Sequence, residues 1–304
     1  MINNLYEMPH TAHAGLIITP LEERNVTDLT PNYLLQQLAE YGYLILRDFK
    51  HSIENFSLLV RQTSGRISLD PARSFNGDTA QKVDAGYDEV GLHCENGNSP
   101  FWPDLCWFYC QKSPQKGSQT TVCDGKQVFK HLSPETKSSF CSKDIMYSRR
   151  VEEQKWKTYA FHALAGQPNS PETIEGTTLD HLLSLIKNIP ETNITLNNDG
   201  SIHYQFKTPA VRTSHINPEE THNFANSIFG PSNYYEKPLI TFSDGSKIPD
   251  ERLAEADTVC QQFTHDIGWQ DGDIVLIDNT RVMHGRRKIE DKSRTIFNAL
   301  SYLK

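Results

Sequence analysis

The sequence predicts an α+β fold that is mainly β, with helices at the start of the chain and in insertions between strands. Three observations carry this prediction. Apolar residues recur at helical spacing near the N-terminus, strand-like aromatic and β-branched runs fill the middle and the end, and polar segments separate those runs. Such segregation is typical of an antiparallel β core, although periodicity alone leaves the type of core open.

Two helices and one buried strand are predicted in the N-terminal part. Pro31 begins a helical pattern that Gly42 ends, because proline suits a first helical position and glycine a position after the last. The apolar residues 43–47 then predict a strand, and Ser52 is the predicted cap of a second helix. Residues 66–88 are rich in turn formers and are predicted to be loop-like.

Strands dominate the prediction from Gly91 onward. The predicted strands are 105–110, 119–123, 201–207, 273–277 and 294–302, and the predicted helices between them are 124–132, one opening at Ser133, 179–186 and 250–265. Residues 165–200 are mostly polar, and we interpret them as a lid-like insertion on a single domain that spans residues 1–304.

Composition narrows the class of protein. Apolar residues make up 37% of the 304 residues, which suffices for a sizeable core and argues against intrinsic disorder. The net charge of −8 argues against non-specific nucleic-acid binding and against a polybasic membrane patch. Residues 1–15 have no secretory pattern, so a cytoplasmic location is expected. The six cysteines lack the C-x₂-C spacing of zinc sites and are interpreted as free thiols.

Two segments contain residues suited to a metal site. His93 and Glu95 are two positions apart, so on a strand both side chains point to the same face. His284 follows a buried strand that ends in a polar turn. Two histidines and one carboxylate form the facial triad of non-haem Fe(II) oxygenases, which leaves positions open for cosubstrate and O₂.

Accessory residues support this interpretation, because an H-x-E pattern alone is common. Thr120 lies 27 residues after His93, and Arg294 lies 10 residues after His284 on the last predicted strand. An arginine can bind a carboxylate through two hydrogen bonds, and a hydroxyl can add one more.

At this point the sequence resembles the taurine dioxygenase-like superfamily of Fe(II)/2-oxoglutarate oxygenases. The resemblance covers most of the chain. It is carried by the entry strand at 42–47, His93-Cys-Glu95-Asn96, Gly117-Ser-Gln-Thr120, and Asp278-Asn-Thr-Arg281-Val-Met-His284-Gly-Arg286 followed by Arg294. It implies a double-stranded β-helix, or jelly roll, with helical insertions.

The resemblance also implies ligands and cosubstrate contacts. The family's metal positions fall on His93, Glu95 and His284, and its 2-oxoglutarate positions fall on Thr120 and Arg294. Glutamate rather than aspartate at position 95 resembles the clavaminate synthase-like branch, which includes oxygenases of free amino acids. Because the interval from His284 to Arg294 is short for the family, Arg286 and Arg287 remain alternatives for the cosubstrate arginine.

The implied activity is oxidation of an aliphatic C–H, most simply hydroxylation, at an Fe(II) cofactor, with 2-oxoglutarate and O₂ consumed to give succinate and CO₂. The candidate substrate residues are Asn96, Arg73 and Arg212, and a solvated or salt-bridged arginine is the alternative for the last two. Arg281 is expected to fix the turn before His284. These cations, with nearby acids, suggest a small amino-acid-like substrate.

Several alternatives remain open at the level of sequence. The same chemistry, including desaturation or cyclisation, could act on an aminoacyl group held by a carrier protein or on a secondary metabolite. A non-catalytic jelly roll that binds a metal or a small molecule is a further alternative. No nucleic acid or membrane partner is expected, and the oligomeric state is left open.

Overall fold

The computed structural model describes residues 4–68, 75–76, 79–83, 86–189, 191–230 and 239–304. The strands in this part of the chain are β1 (Leu5–Pro9), β2 (Leu16–Pro20), β3 (Tyr43–Leu46), β4 (Arg66–Ser68), β5 (Phe75–Asn76), β6 (Ala80–Lys82), β7 (Val90–His93), β8 (Leu105–Lys112), β9 (Thr120–Asp124), β10 (Ile145–Val151), β11 (Thr192–Leu196), β12 (Ile202–Thr208), β13 (Val211–Arg212), β14 (Asn223–Phe224), β15 (Leu239–Phe242), β16 (Thr264–Ile267), β17 (Ile274–Asp278), β18 (Val282–Arg286) and β19 (Thr295–Tyr302). The helices are α1 (Pro31–Tyr41), α2 (Ile53–Thr63), α3 (Gly125–His131), α4 (Pro134–Ser142), α5 (Glu153–Ala163), α6 (Leu179–Ile186) and α7 (Asp250–Gln262).

Two facing sheets form a jelly roll, so the predicted α+β, mainly β fold is confirmed. The larger sheet runs in the order β1-β2-β3-β17-β8-β19-β6-β5, with β4 also paired to β19. The smaller sheet runs in the order β16-β9-β18-β7. Side chains from both sheets fill the space between them, among them Ile45, Phe108 and Val275 from the larger sheet and Val122 and Val282 from the smaller one.

The outer face of the larger sheet is covered by the two N-terminal helices. The side chain of Thr30 caps α1 and that of Ser52 caps α2, each accepting a hydrogen bond from a backbone N–H of the first turn. Leu34 and Leu38 of α1 and Phe56 of α2 are buried in the hydrophobic cluster between these helices and the larger sheet. Fully burying an aliphatic or aromatic side chain of this size stabilises the fold by roughly 1.5–3 kcal/mol.

A third sheet, in the order β11-β12-β10-β15, lies on the outer side of the smaller sheet. Its apolar face contributes Tyr147 of β10 and Tyr204 of β12 to a cluster that also contains Cys94 and Met283. The predicted insertion at 165–200 contains α6 and β11, and β11 pairs with β12.

Two segments with a sequence prediction have a different structure. Residues 66–88, predicted to be loop-like, contain the short strands β4, β5 and β6, which pair onto β19 or onto each other. The helix predicted over 250–265 ends at Gln262, because Thr264–Ile267 pairs with β9 as β16. Among the described residues, no helix has the length and apolar character needed to cross a membrane.

Candidate metal centre and active site

Antiparallel pairing of β7 with β18 brings the two candidate histidine ligands together. His93 is the last residue of β7, and the register places it directly opposite His284. The centroids of their rings are 4.5 Å apart. His284 shares the inner face of β18 with Val282, and the edge of the Phe108 ring packs against its imidazole with centroids 5.4 Å apart. The sheet itself therefore sets the separation of the two imidazoles.

Glu95 completes the group two residues beyond the end of β7. Its Oε2 lies 3.6 Å from His93 Nε2 and 3.4 Å from His284 Nε2. One ligand atom from each of the three residues lies within 4.8 Å of the others, and this is the one such group found in the described residues. His93 Nδ1 donates a hydrogen bond to the Gly91 carbonyl (2.8 Å), which leaves Nε2 as the lone-pair nitrogen that faces the carboxylate.

The donor set fits a divalent iron ion. Two imidazole nitrogens and one carboxylate oxygen converge from one side, which is the arrangement of the 2-His-1-carboxylate facial triad. The Glu95 carboxylate lies close to both imidazoles, so all three side chains present donor atoms to one point. The residues present therefore fit the metal that the resemblance implies.

Asn279 holds the backbone on both sides of Glu95, a role that the sequence motif did not reveal. Its Oδ1 accepts a hydrogen bond from the Glu95 N–H (2.8 Å), and its Nδ2 donates to the Glu95 carbonyl (3.0 Å) and to the Pro103 carbonyl (2.8 Å). Asn279 is completely buried at the end of β17, five residues before His284. One amide side chain thus connects the two segments that carry the triad. The only sequence signal was an asparagine directly after a buried strand.

The turn between β17 and β18 is fixed by further buried polar groups. Asp278 accepts hydrogen bonds from the Ser214 hydroxyl (2.5 Å) and from the Thr280 N–H (2.9 Å), and burial raises the pKa of Asp278. Arg281 binds the Asp124 carboxylate through Nε (3.0 Å) and Nη2 (2.7 Å). The expectation that Arg281 fixes this turn is confirmed.

The structure places the two proposed cosubstrate residues on the inner faces of the two sheets. Thr120 begins β9 and shares the face of Val122, which packs between the sheets. Arg294 directly precedes β19 and has the parity of Ile296, another residue of the interior. Arg294 is 8% exposed, and its Nη2 donates to the Val83 carbonyl (3.1 Å). Arg294 and Thr120 are therefore both buried residues with the parity of the inner faces.

The alternative arginines have different surroundings. Arg286 lies opposite Thr120 in the register of β18 with β9, and its Nη2 donates to the carbonyls of Gly86 (3.2 Å) and Asp88 (2.8 Å). The side chain of Arg287 is 44% exposed, and its Nε donates to the Asp266 carboxylate (3.0 Å).

Two of the candidate substrate residues are described: Asn96 lies in the loop that follows Glu95, and Arg212 of β13 packs against Trp102 of that loop. Asn96 has a positive φ of 54°, a backbone conformation that asparagine adopts more readily than most residues. The guanidinium carbon of Arg212 lies 3.5 Å from the centroid of the Trp102 ring, and its Nη2 donates to the Thr208 hydroxyl (3.1 Å). Burial lowers the pKa of Arg212. Arg73 lies outside the described residues.

Sequence comparison places this site in a known context. The family profile described as "Taurine catabolism dioxygenase TauD, TfdA family" matches residues 19–300. That range includes the whole jelly roll from β3 to β18 and every residue of the candidate site.

Two curated relatives and one solved protein illustrate the range of similar chains. The dapdiamide synthesis protein DdaC of Enterobacter agglomerans is 21% identical over 305 residues, covering 91% of this chain and 88% of DdaC. A clavaminate synthase-like protein of Arabidopsis thaliana is 23% identical over 291 residues, covering 87% of this chain and 83% of the relative. The crystal structure of PvcB from Pseudomonas aeruginosa aligns with a TM-score of 0.65 at 12% identity over 99% of this chain and 92% of PvcB. At that identity the structural likeness establishes the fold.

Proposed function

Because the chain belongs to the taurine catabolism dioxygenase TauD/TfdA family, we propose that it hydroxylates an aliphatic C–H of a small, polar, amino-acid-like molecule. The chain is a dioxygenase, and iron(II) and 2-oxoglutarate are the cofactor and cosubstrate of this class. The observation that carries the proposal is the convergence of His93, Glu95 and His284 within 4.8 Å at the end of paired strands.

In this proposal the triad holds iron through His93 Nε2, a Glu95 carboxylate oxygen and His284 Nε2. Bound iron and 2-oxoglutarate would supply the oxidising chemistry: oxidative decarboxylation of 2-oxoglutarate to succinate and CO₂ drives cleavage of the C–H bond. The protein orients the reacting groups and keeps water away from them. The Phe108 ring beside His284 contributes to a dry site.

Arg294 and Thr120 are the proposed partners of the distal 2-oxoglutarate carboxylate. Both side chains are at least nine-tenths buried and have the parity of the space between the sheets. An arginine that forms two parallel hydrogen bonds with a carboxylate fixes its orientation as well as its position. The cosubstrate would then enter with its keto acid end towards the triad.

For the substrate, we propose that Asn96, Arg212 and Arg73 provide polar contacts, of which Asn96 and Arg212 lie at the loop that follows Glu95. Arg212 stacks on Trp102, and Trp102 Nε1 donates a hydrogen bond to the Asn279 carbonyl (3.0 Å). Arg212 is therefore connected through Trp102 to Asn279, the residue that holds the backbone of Glu95. A cation in this position favours a substrate that carries a carboxylate. We also propose that 165–200 covers the substrate, because α6 packs on α5 and Tyr159 of α5 contacts Phe101 in the same loop.

A second candidate is the same chemistry on a carrier-bound aminoacyl group or a secondary metabolite. The printed names of the relatives favour keeping it, because DdaC is a dapdiamide synthesis protein and PvcB is described as an oxygenase from an isonitrile synthetic pathway. Desaturation and cyclisation begin with the same hydrogen abstraction and belong to this candidate. A non-catalytic jelly roll would have no need of Arg294 and Thr120 beside a complete triad.

The test is O₂-dependent formation of succinate by the purified Fe(II) protein, screened against free amino acids and against their carrier-bound thioesters. We expect stimulation by at least one free amino acid and a product that is 16 mass units heavier by mass spectrometry, the mass of one oxygen atom. Stimulation only by thioesters would favour the second candidate. If neither free amino acids nor thioesters stimulate succinate formation, both proposed substrate classes are wrong.

A further inference from the structure

A single arginine interrupts the apolar face of the third sheet beside the candidate active site. Ile145, Tyr147 and Arg149 alternate along β10, so their side chains point to the same face. Ile145 and Tyr147 are buried in the cluster that contains Cys94, the residue between the ligands His93 and Glu95. Arg149 is therefore a cation on a face that otherwise packs towards the metal-binding segment.

Direct hydrogen bonds connect this face to the metal-binding segment. The Tyr147 hydroxyl accepts a hydrogen bond from the Ser227 N–H (2.9 Å), and the Ser227 hydroxyl donates to the Cys94 carbonyl (2.8 Å). The Tyr204 hydroxyl donates to the Asn98 carbonyl, three residues after Glu95.

Arg149 lies next to the second of these connections. The register of β10 with β12 pairs Arg149 with Tyr204, and the Arg149 guanidinium carbon lies 5.4 Å from the centroid of the Tyr204 ring. This is within the range of a cation–π contact. The guanidinium is thus separated by one side chain from the backbone of Asn98.

One buried donor of Arg149 lacks an acceptor in the described part of the protein. Its Nε is buried and has no hydrogen-bond partner, and the side chain forms no ion pair with a described residue. A guanidinium has five N–H donors and no acceptor, and burying such donors without partners costs free energy. The neighbouring Arg150 points to the opposite face of the sheet. Its side chain is 55% exposed and forms an ion pair with Asp199.

Arg212 repeats the pattern at the other end of the same loop. Its Nε is also buried without a partner, and it stacks on Trp102, four residues after Asn98. Two acidic side chains, Asp278 and Asp104, interact electrostatically with Arg212. Asp278 already accepts a hydrogen bond from Ser214, and Asp104 already accepts one from His215. The loop 98–102 is therefore flanked by two arginines whose donors are not all used.

We propose that Arg149 binds a carboxylate of the substrate, so that the substrate is a small free carboxylic acid held between the loop 98–102 and the third sheet. A carboxylate would supply an acceptor for the unpartnered Nε–H of Arg149 and a second oxygen for one Nη–H, in the two-bond geometry that arginine favours. This inference rests on the proposed oxygenase function and adds the chemical class of the group that fixes the substrate.

The experiment compares free L-amino acids with their primary carboxamides, which have nearly the same shape but no negative charge. Succinate formation is measured for the wild-type Fe(II) protein, for R149Q and R149K, and for R150Q as a matched control. Wild type should prefer the acids to the amides. Loss of the charge-assisted bonds in R149Q should raise KM for the preferred acid roughly ten- to a hundredfold, with a much smaller change in kcat. R149K should recover part of the loss, R150Q should behave like wild type, and the KM for 2-oxoglutarate should stay constant.

Several results would overturn the inference. They are an unchanged KM for the acid in R149Q, an equal rise for acid and amide, a rise in the KM for 2-oxoglutarate instead, or turnover with thioesters while every free acid is inert. Thermal melting of each variant identifies a folding defect, and R149K keeps the charge should R149Q fail to fold. Anaerobic calorimetry of 2-oxoglutarate binding separates the two proposals. If a free acid stimulates turnover in wild type but its KM is unchanged in R149Q, only the role of Arg149 fails, whereas absence of both 2-oxoglutarate binding and turnover removes the proposed function and this inference with it.

Discussion

At the scale of single residues, the three ligand side chains depend on different neighbours. His93 is oriented by the Gly91 carbonyl, Glu95 is held through its backbone by Asn279, and His284 packs against the Phe108 ring. The chemistry is therefore concentrated in three side chains, while their geometry is distributed over several others.

Replacement of His284 by alanine should abolish turnover and weaken metal binding. Loss of a hydrogen bond to a ligand typically costs roughly 10–100-fold in metal affinity, and loss of the ligand itself should cost more. Anaerobic titration with Mn(II), which fits the same donor types, measures the affinity without requiring catalysis. H131A, at the exposed end of α3, is the control and should bind Mn(II) normally. Full activity in H284A would refute the metal assignment.

Arg294→Ala should raise the KM for 2-oxoglutarate far more than Thr120→Ala. Arginine supplies charge-assisted hydrogen bonds worth roughly 1.5–3 kcal/mol, whereas a neutral hydroxyl contributes about 1 kcal/mol. Steady-state succinate formation at varied 2-oxoglutarate concentrations gives the ranking. The same series with R286A tests the alternative, because a larger effect there would identify Arg286 as the anchor.

Asn279→Ala should weaken metal binding although Asn279 is not a ligand. The change removes three hydrogen bonds, two of them to the backbone of Glu95. The backbone that carries the Glu95 carboxylate is then no longer held in position. We expect Mn(II) affinity to fall roughly 10–100-fold, the usual range for residues that orient a ligand. N223A is a matched control, since buried Asn223 also donates to two backbone carbonyls but does not touch Glu95. A lower melting temperature with unchanged Mn(II) affinity in N279A would reduce its role to stability.

At the scale of elements, the contact between β7 and β18 determines whether the triad can form. The register shifts between His284 and Arg286, and Gly285 lies in this irregularity. A Cβ atom added at Gly285 would lie 2.5 Å from the Val90 carbonyl oxygen and 2.7 Å from the Thr121 hydroxyl. Only glycine allows the strands to approach this closely.

Gly285→Ala should therefore impair both folding and metal binding. Overpacking of this kind typically lowers the free energy of unfolding by roughly 1–3 kcal/mol. Separation of β7 from β18 should also lower Mn(II) affinity. G268A is the control, because no atom lies within 4 Å of the added Cβ and surface changes of that kind usually shift stability by less than about 0.5 kcal/mol. Urea denaturation and Mn(II) titration provide both measurements, and wild-type values for G285A would contradict the role given to the close strand approach.

Elements with strong local signals could be predicted from the sequence, and elements stabilised by distant partners could not. The capped, amphipathic helices α1 and α2 and the apolar strand β17 are present where their patterns indicate. The polar helix α5 has a weak apolar face, with only Trp156 and Ala160 buried, and it was missed. Thr264–Ile267 continued a helical pattern, but pairing with β9 converts it to a strand.

At the scale of the whole molecule, the fold joins segments that are far apart in sequence. The ligand types and their spacing could be inferred from residues 93–95 and 284, because strand alternation and the family motif are local signals. The Asn279 clamp and the position of Arg149 could not be inferred, since both depend on contacts between distant segments. The same property explains why substrate contacts are hard to predict from the sequence: the proposed ones lie in the third sheet and in loops.

The position of β18 between β7 and β9 also has a consequence for how the protein is made. A chain growing from its N-terminus carries His93 and Glu95 long before Asn279, which follows Glu95 by 184 residues, and His284 appears later still. During most of synthesis the small sheet therefore lacks the strand that joins β9 to β7, and the nascent chain carries only two of the three proposed ligands. If these three residues bind iron as proposed, stable iron binding requires that translation has passed β18.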